Sequence, residues 1–360
     1  MITLFGKHEN RYKANLHCHS RYSDGRATVE TIKEEYLKRG YSVVAFTDHE
    51  VLIDASGLCD ESFVAINGCE LSVGGPKLDL DSEKPSSKVV HMNFYAKDQK
   101  NTVTPFYNEK YYHPKFEDMR EHVTAGEPFD RLYSHESINE MVARAHELGY
   151  LVSYNHPVWS LQTAEDYLGY EGFDFIEVHN TGCLVSGFQE SDHAYNDMMK
   201  AGKRIMPVAT DDNHNVKGFE GVRTDSFGGW TVLDAPSLDY SSVISALEQG
   251  DFYASTGPEI HSIVLDDETG VLKVKCSPAK RVFLITQGRL QSQAFAEPDE
   301  TIESASFKFR CATTRFRIRV EDEYGRCAYS QIYDLPAHTP RVDAEPAPEA
   351  PATTAAEAKK

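Results

Sequence analysis

From Lys13 to about Gly257, short apolar runs alternate with amphipathic stretches. Runs at 12–17, 42–46, 63–66, 88–95, 150–154, 173–178 and 204–209 predict seven strands. Residues 28–39 read as a helix, with Val29, Ile32 and Tyr36 on one face and a stop at Gly40. A second helix precedes the strand at 150. Ser137 and Glu140 form a capping-box signature, Ile138, Met141, Val142, Ala145 and Leu148 give the stripe, and Gly149 ends it. Strands alternating with helices imply an α/β fold, a parallel sheet with right-handed crossovers. Seven strands in this length fit a (β/α)7 barrel better than an open sheet.

Two segments break the rhythm. Residues 98–134 are long, polar and rich in aromatics (Phe106, Tyr107, Tyr111, Tyr112, Phe116, Phe129, Tyr133). They read either as a surface excursion packed on its own side chains or as a cap over a site. Residues 211–229 are glycine-rich and read as a loop. After Gly257-Pro258 the pattern becomes short alternating strands with tight turns, as at 271–275 and 315–320. The expected organisation is therefore a first unit over 1–258 with a possible cap at 98–134, and a small all-β sandwich over 259–335. The Ala/Pro/Glu-rich segment 336–360 has almost no apolar bulk and is expected to be disordered.

Composition narrows the setting. The formal net charge of the 360-residue chain is -19, which disfavours long nucleic acid and anionic membranes as partners. No long apolar run lacks charges, so no membrane span is expected. The opening residues 1–10 lack the basic start and apolar core of a signal peptide. The seven cysteines are scattered, with no CxxC pair, which favours a reducing compartment. The expected location is cytoplasmic.

Chemistry-bearing residues gather at the strand ends. His17 and His19 close the first strand, with Asp24 following in Ser23-Asp24-Gly25. Thr47-Asp48-His49 closes the second, and Glu70 the third. His91 lies within the fourth. Asn155-His156-Pro157, His179 and Asp211-Asp212-Asn213-His214 close the last three. In strand-helix barrels the catalytic face is the carboxyl end of the strands. Residues two apart in a strand point to one side, so His17 and His19 can share a metal. Imidazoles with carboxylates suit zinc, manganese or iron better than calcium. A carboxylate such as Glu70 can bridge two cations, and a metal-bound water near neutral pKa becomes a hydroxide nucleophile. Taken singly, each element has a structural alternative. Their convergence on successive strand ends is what points to a metal site.

The set His17-Cys18-His19, Ser23-Asp24-Gly25, Thr47-Asp48-His49, Glu70, His91, Asn155-His156-Pro157 and Asp212-Asn213-His214 resembles the PHP (polymerase and histidinol phosphatase) superfamily over about residues 10–257. The resemblance implies a distorted seven-stranded barrel with two or three divalent metal ions (Mn, Fe or Zn). Carried over position by position, it implies the ligands His17, His19, Asp24, His49, Glu70 (bridging), His91, His156, Asp212 and His214. The full set looks like a trinuclear, active member. The family pattern Asp-x-His selects Asp212, leaving Asp211 to orient a ligand from behind.

The implied function is a hydrolase of a small phosphomonoester or phosphodiester, of the nucleotide or sugar phosphate class. A metal-bridging hydroxide positioned near Glu70 would attack phosphorus. His179 is a candidate for substrate contact or proton donation, and His193 for facing the site. Arg26, after the Ser-Asp-Gly turn, is a candidate phosphate clamp. An amidohydrolase-like carbon-nitrogen hydrolase is the second reading, since that class also uses His-x-His at a first strand. A metal-stabilised, non-enzymatic binding protein is the third.

Overall fold

A computed structural model describes residues 1–78, 86–111 and 122–342. The first part of the chain holds strands β1 (Ile2–Phe5), β2 (Arg11–Asn15), β3 (Tyr41–Phe46), β4 (Val64–Lys77), β5 (Ser87–Ala96), β6 (Val103–Thr104) and β7 (Thr124–Ala125). Next come β8 (Tyr150–Tyr154), β9 (Phe175–Asn180), β10 (Met206–Thr210), β11 (Trp230–Asp234) and β12 (Phe252–Ser255). Between them lie helices α1 (Val29–Leu37), α2 (His135–Glu147), α3 (Ala164–Tyr167), α4 (Thr181–Val185), α5 (Asp192–Lys200) and α6 (Tyr240–Gln249). The remainder is all strand: β13 (Ile260–Asp266), β14 (Val271–Ala279), β15 (Arg281–Thr286), β16 (Ser292–Phe295), β17 (Ile302–Lys308), β18 (Arg315–Glu321), β19 (Cys327–Tyr329) and β20 (Tyr333–Asp334). Among the described residues, no helix is long and apolar enough to cross a membrane.

The fold is one large sheet with few helices, and the expected closed (β/α)7 barrel is corrected. The hydrogen-bonded order runs openly from β10 through β9, β8, β5, β4, β3, β2, β11 and β12 into β19, β18, β15 and β16. It is also mixed rather than parallel. β3 pairs in parallel with β2 and β4, but β5 runs antiparallel to β4 and β8, and β11 antiparallel to β2. The chain between Lys77 and Ser87 is too short for the dozen or more residues of a crossover, so β4 and β5 pair as a hairpin. Across the seam between β10 and β11 a side chain replaces a strand ladder. Thr231 Oγ1 accepts from Ala209 N (3.3 Å) and donates to Ala209 O (3.2 Å). Beyond the strand ends the two edges meet: Asp212 N donates to His17 O (2.9 Å) and His19 N to Asn213 O (3.1 Å).

Local sequence explains most elements. From Val43 to Phe46 β3 is apolar, because Val44 and Phe46 pack with α1 residues, while Val43 and Ala45 face the core inside the sheet. α2 starts one turn before the expected cap: Ser134, not Ser137, accepts from the third helical N–H. The two serines are chemically equivalent, and the stripe from Ile138 onward fits either start. β4 does not end at Glu70 but continues to Lys77 beside β5.

In the excursion, Phe106 packs between Phe94 (tilted) and Phe129 (edge-on), and Arg131 reaches back to a bidentate pair with Glu50 (2.7 Å at each nitrogen). Residues 112–121, with Tyr112 and Phe116, lie outside the described residues.

The C-terminal region is an all-β, two-layered unit. β1, β13, β14 and β17 form one sheet over β15 and β18, enclosing Phe5, Ile263, Leu272, Val282, Leu284, Phe316 and Ile318. Residues 2–5, expected within the first unit, thus belong to the C-terminal sheet through β1–β13 pairing. Their alternating pattern marks a strand without naming its partner. Residues 336–342, expected to open the disordered segment, are packed: Thr339 is buried, and Val342 N donates to Phe309 O (2.8 Å). Residues 343–360 lie outside the described residues.

Candidate metal centre

The site stands on the carboxyl ends of β2, β3, β8 and β10 and on the middles of β4 and β5. His17 and His19 leave β2 with their Nε2 atoms 3.1 Å apart. Two imidazole nitrogens at that distance share at most one proton, so at least one lone pair faces the gap. Asp212 Oδ1 lies 3.2 Å from His17 Nε2 and 3.0 Å from His19 Nε2. Glu70 sits at the centre with its two oxygens divided. Oε1 meets His17 Nε2 (3.4 Å), His91 Nδ1 (3.0 Å) and His156 Nε2 (3.3 Å). Oε2 meets His19 Nε2 (3.4 Å) and His49 Nδ1 (3.0 Å). Asp24 Oδ1 meets His214 Nε2 (3.3 Å), His19 Nδ1 (3.8 Å) and His49 Nε2 (3.9 Å). All nine candidate ligands therefore converge.

Eight of the nine, all but His91, form three overlapping groups, each with ligand atoms within 4.8 Å of one another: His19, Asp24, His49 and His214; His17, Glu70 and His156; His17, His19 and Asp212. With metal–ligand bonds of about 2.0–2.2 Å, neighbouring donors of a tetrahedral or octahedral site are separated by about 3.0–3.5 Å. Most of the contacts above fall in that range, so the residues fit divalent cations in both donor chemistry and spacing.

Electrostatics agrees. Burial alone would discharge Glu70, yet His91, His17 and His49 outweigh it and hold its carboxyl well below the usual range. Burial disfavours the imidazolium of His17, but Asp212, Glu70 and Glu177 reverse this and hold its pKa well above the ordinary value. His214 is raised to about 9, because the hydrogen bond and charge of Asp24, with Asp212, overcome its burial. Burial lowers His49 to about 4. The carboxylates draw positive charge into the cluster, as protons when no cation is bound.

Supporting groups hold this geometry. Glu177, inside β9, accepts from His17 Nδ1 (2.6 Å), His156 N (2.8 Å), Asn180 Nδ2 (2.9 Å) and Thr210 Oγ1 (2.7 Å). The first bond keeps the His17 proton on Nδ1 and frees Nε2. Sequence reasoning missed Glu177; its signal is a carboxylate between Ile176 and Val178 in a buried run. Asp48 accepts from Ser20 N (2.8 Å), Ser20 Oγ (2.7 Å) and Ser23 Oγ (2.7 Å), fixing the loop that carries Asp24. At Gly25 a Cβ would lie 2.4 Å from His19 O, so this turn needs glycine. Asp211 accepts from Tyr36 Oη (2.8 Å), Thr181 Oγ1 (2.8 Å) and Phe227 N (2.8 Å), facing away from the cluster that Asp212 enters. Asp212 and His156 hold left-handed backbone (φ 52 and 25), a strain maintained by these surroundings.

Three other candidates do not reach the cluster. The buried His179 ring is engaged by Glu190 Oε1 (3.0 Å) and Thr181 Oγ1 (3.1 Å) and does not line the cavity. His193 is exposed on α5. The Arg26 side chain is exposed, and its contribution is a backbone bond from its N to His214 O (2.8 Å). A cavity of about 480 Å³ opens above the cluster. Its walls bring in Trp159, Cys183, Val185, Val216, Lys217 and Arg223, which were not singled out in the sequence. The described residues of 98–134 contribute none of this lining, although His122 packs edge-on against Tyr22 beside the Asp24 loop.

A comparison with curated proteins finds no match. Among solved structures, the chain is similar to a two-domain protein from Bacteroides vulgatus containing a predicted PHP-like metal-dependent phosphoesterase. Identity is 14%, covering 92% of this chain and 97% of that one, with a TM-score of 0.42. It is also similar to a Bifidobacterium adolescentis protein assigned as a metal-dependent phosphoesterase (15% identity, 58% of this chain and 90% of that one, TM-score 0.35). A Chromobacterium violaceum amidohydrolase shares 17% identity over 56% of this chain and 87% of its own, with a TM-score of 0.33. Residues 15–134, which hold six of the nine clustered side chains, match the family model of the PHP domain.

Proposed function

We propose that this chain is a metal-dependent hydrolase of phosphoester bonds acting on a small phosphorylated substrate. The observation that carries the reading is the division of Glu70: one carboxylate at the centre, each oxygen facing a different set of imidazoles. Bound divalent ions would supply Lewis-acid stabilisation of phosphoryl oxygens and would lower the pKa of a coordinated water. The side chains that would hold them are His17, His19, Asp24, His49, Glu70, His91, His156, Asp212 and His214.

The protein's own part is preorganisation. Glu177 orients His17 and the backbone of His156 together, and Asn155 Nδ2 donates to Glu70 Oε1 (2.9 Å), so the central carboxylate cannot swing. Among the described residues, the cluster is buried on its strand side and opens to the cavity, the side from which substrate would approach. A cavity of this size and the acidic surface both favour a small molecule over a polymer.

The test is phosphate or nitrophenol release from p-nitrophenyl phosphate and bis-p-nitrophenyl phosphate, by protein loaded with Mn, Fe or Zn and checked for metal content. Turnover lost in Glu70→Gln is the expected result. Absence of cleavage of either ester by protein that does contain metal would overturn the reading.

A further inference from the structure

The cavity is larger than a phosphate group needs, and its upper walls differ in chemistry from its floor. The floor is the cluster of imidazoles and carboxylates. One wall is Trp159, 40% exposed, its ring centroid 5.1 Å from His156 and 5.3 Å from His91. Another part of the lining comes from segment 215–225, which carries Lys217 and Arg223. Both are exposed, and among the described residues neither makes a hydrogen bond or ion pair. The carboxylates of the lining, Asp24, Glu70, Asp212 and Asp225, are engaged by the cluster or by backbone N–H groups, whereas among the described residues these two cations line the cavity without a partner.

Of the two acids in this segment, Glu220 is exposed and does not line the cavity, and Asp225, which does, is already engaged. Asp225 accepts from His214 N (2.8 Å) and Asn215 N (3.1 Å). The same contacts, with Asn215 Nδ2 to Ser226 Oγ (2.8 Å) and Thr224 Oγ1 to Gly218 O (3.2 Å), pin the segment by both ends to a member of the cluster. The backbone that carries Lys217 and Arg223 is thus fixed beside the site, and both residues line the cavity.

Resting on the phosphoester reading above, we propose that Trp159, Lys217 and Arg223 form a leaving-group subsite. It would select phosphomonoesters whose leaving group is a planar ring carrying a second anionic group. The scissile phosphate belongs on the floor, where the donor set is. An indole face at the rim offers stacking to a planar ring, and Val185 and Val216 add apolar wall. The two cations then meet charge on the far side of that ring, through charge-assisted hydrogen bonds.

The test compares 4-carboxyphenyl phosphate, phenyl phosphate and glycerol 2-phosphate with the metal-loaded full chain. The expected order of kcat/KM is carboxyphenyl, then phenyl, then glycerol. In the double variant Lys217→Ala/Arg223→Ala, the carboxyphenyl-to-phenyl ratio of kcat/KM should fall about tenfold, as expected for two exposed charge contacts. Trp159→Leu should lower the phenyl-to-glycerol ratio. Ratios unchanged by these variants, or all three esters slowed equally, would overturn the subsite. If wild-type protein cleaves no ester, the phosphoester reading fails. The subsite is then judged by calorimetric binding: tighter binding of carboxyphenyl than phenyl phosphate, lost in the double variant, sustains it, and equal binding overturns it.

Discussion

Replacing Glu177 by glutamine changes one oxygen to an amide nitrogen and almost nothing in volume. Glu177 accepts four hydrogen bonds, two at each oxygen: His17 Nδ1 and Thr210 Oγ1 at Oε1, and His156 N and Asn180 Nδ2 at Oε2. An amide accepts on one side only. If its NH2 faces His156 N, a fixed backbone donor is left buried against another donor. If it faces His17, the imidazole must accept at Nδ1, which moves its proton to Nε2, the atom pointing at His19, Glu70 and Asp212. The first orientation turns two buried donors, His156 N and Asn180 Nδ2, against the NH2, at about 1–3 kcal/mol each, or about 2–6 kcal/mol together; the second costs less in stability, because the imidazole and the Thr210 hydroxyl can both accept, but it blocks Nε2. Part of that appears as lost stability and part as lost metal affinity, for which about 10- to 100-fold is the usual scale of such supporting residues. The assay is a competition titration with a chromophoric chelator on Glu177→Gln and wild type, beside urea denaturation of both metal-free forms. Wild-type affinity together with wild-type stability would refute the reasoning.

Three further outcomes are expected. Manganese affinity should rise with pH up to about 9. Below that value a proton occupies His214, whose pKa Asp24 and Asp212 raise against its burial, and each proton displaced makes affinity climb about tenfold per pH unit; pH-independent affinity between 6.5 and 9 would contradict this. Arg131→Ala leaves the buried Glu50 carboxylate unpaired and should cost about 3–5 kcal/mol in urea unfolding. The double variant Glu50→Gln/Arg131→Met should recover much of this, and a neutral single variant would show that the pair is not buried as described. Phe5→Ala removes a buried ring that packs edge-on against Tyr253 (5.3 Å), and should cost about 3–5 kcal/mol; a loss below about 1 kcal/mol would mean that β1 is not part of the C-terminal core.

Much of the candidate centre was legible along the chain because its ligand types recur where apolar runs stop. Side-chain parity in a strand needs no tertiary information, so His17 and His19 could be paired from their spacing alone. Glu177 was hidden by the same logic: one charged residue inside a buried run resembles any strand polar position until its four donors are seen. His179 stood at an equally suitable strand end, yet Glu190 on the neighbouring segment claims its ring. Trp159, Lys217 and Arg223 sit in loops, where neither periodicity nor motif indicates which way a side chain faces.

The same division runs through the fold. Hydrophobic runs and cap residues are local properties, and they placed β3, β8, α1 and the strand series after Gly257 close to where they occur. Which strand pairs with which is set by nonlocal packing. The short β4–β5 link forces a hairpin, Thr231 bridges the open seam at β10, and β1 joins a sheet more than 250 residues away in sequence. Ligand chemistry is written in residue types and spacing. Which buried donors a carboxylate satisfies, and which rim a substrate meets, exist only once distant segments are brought together.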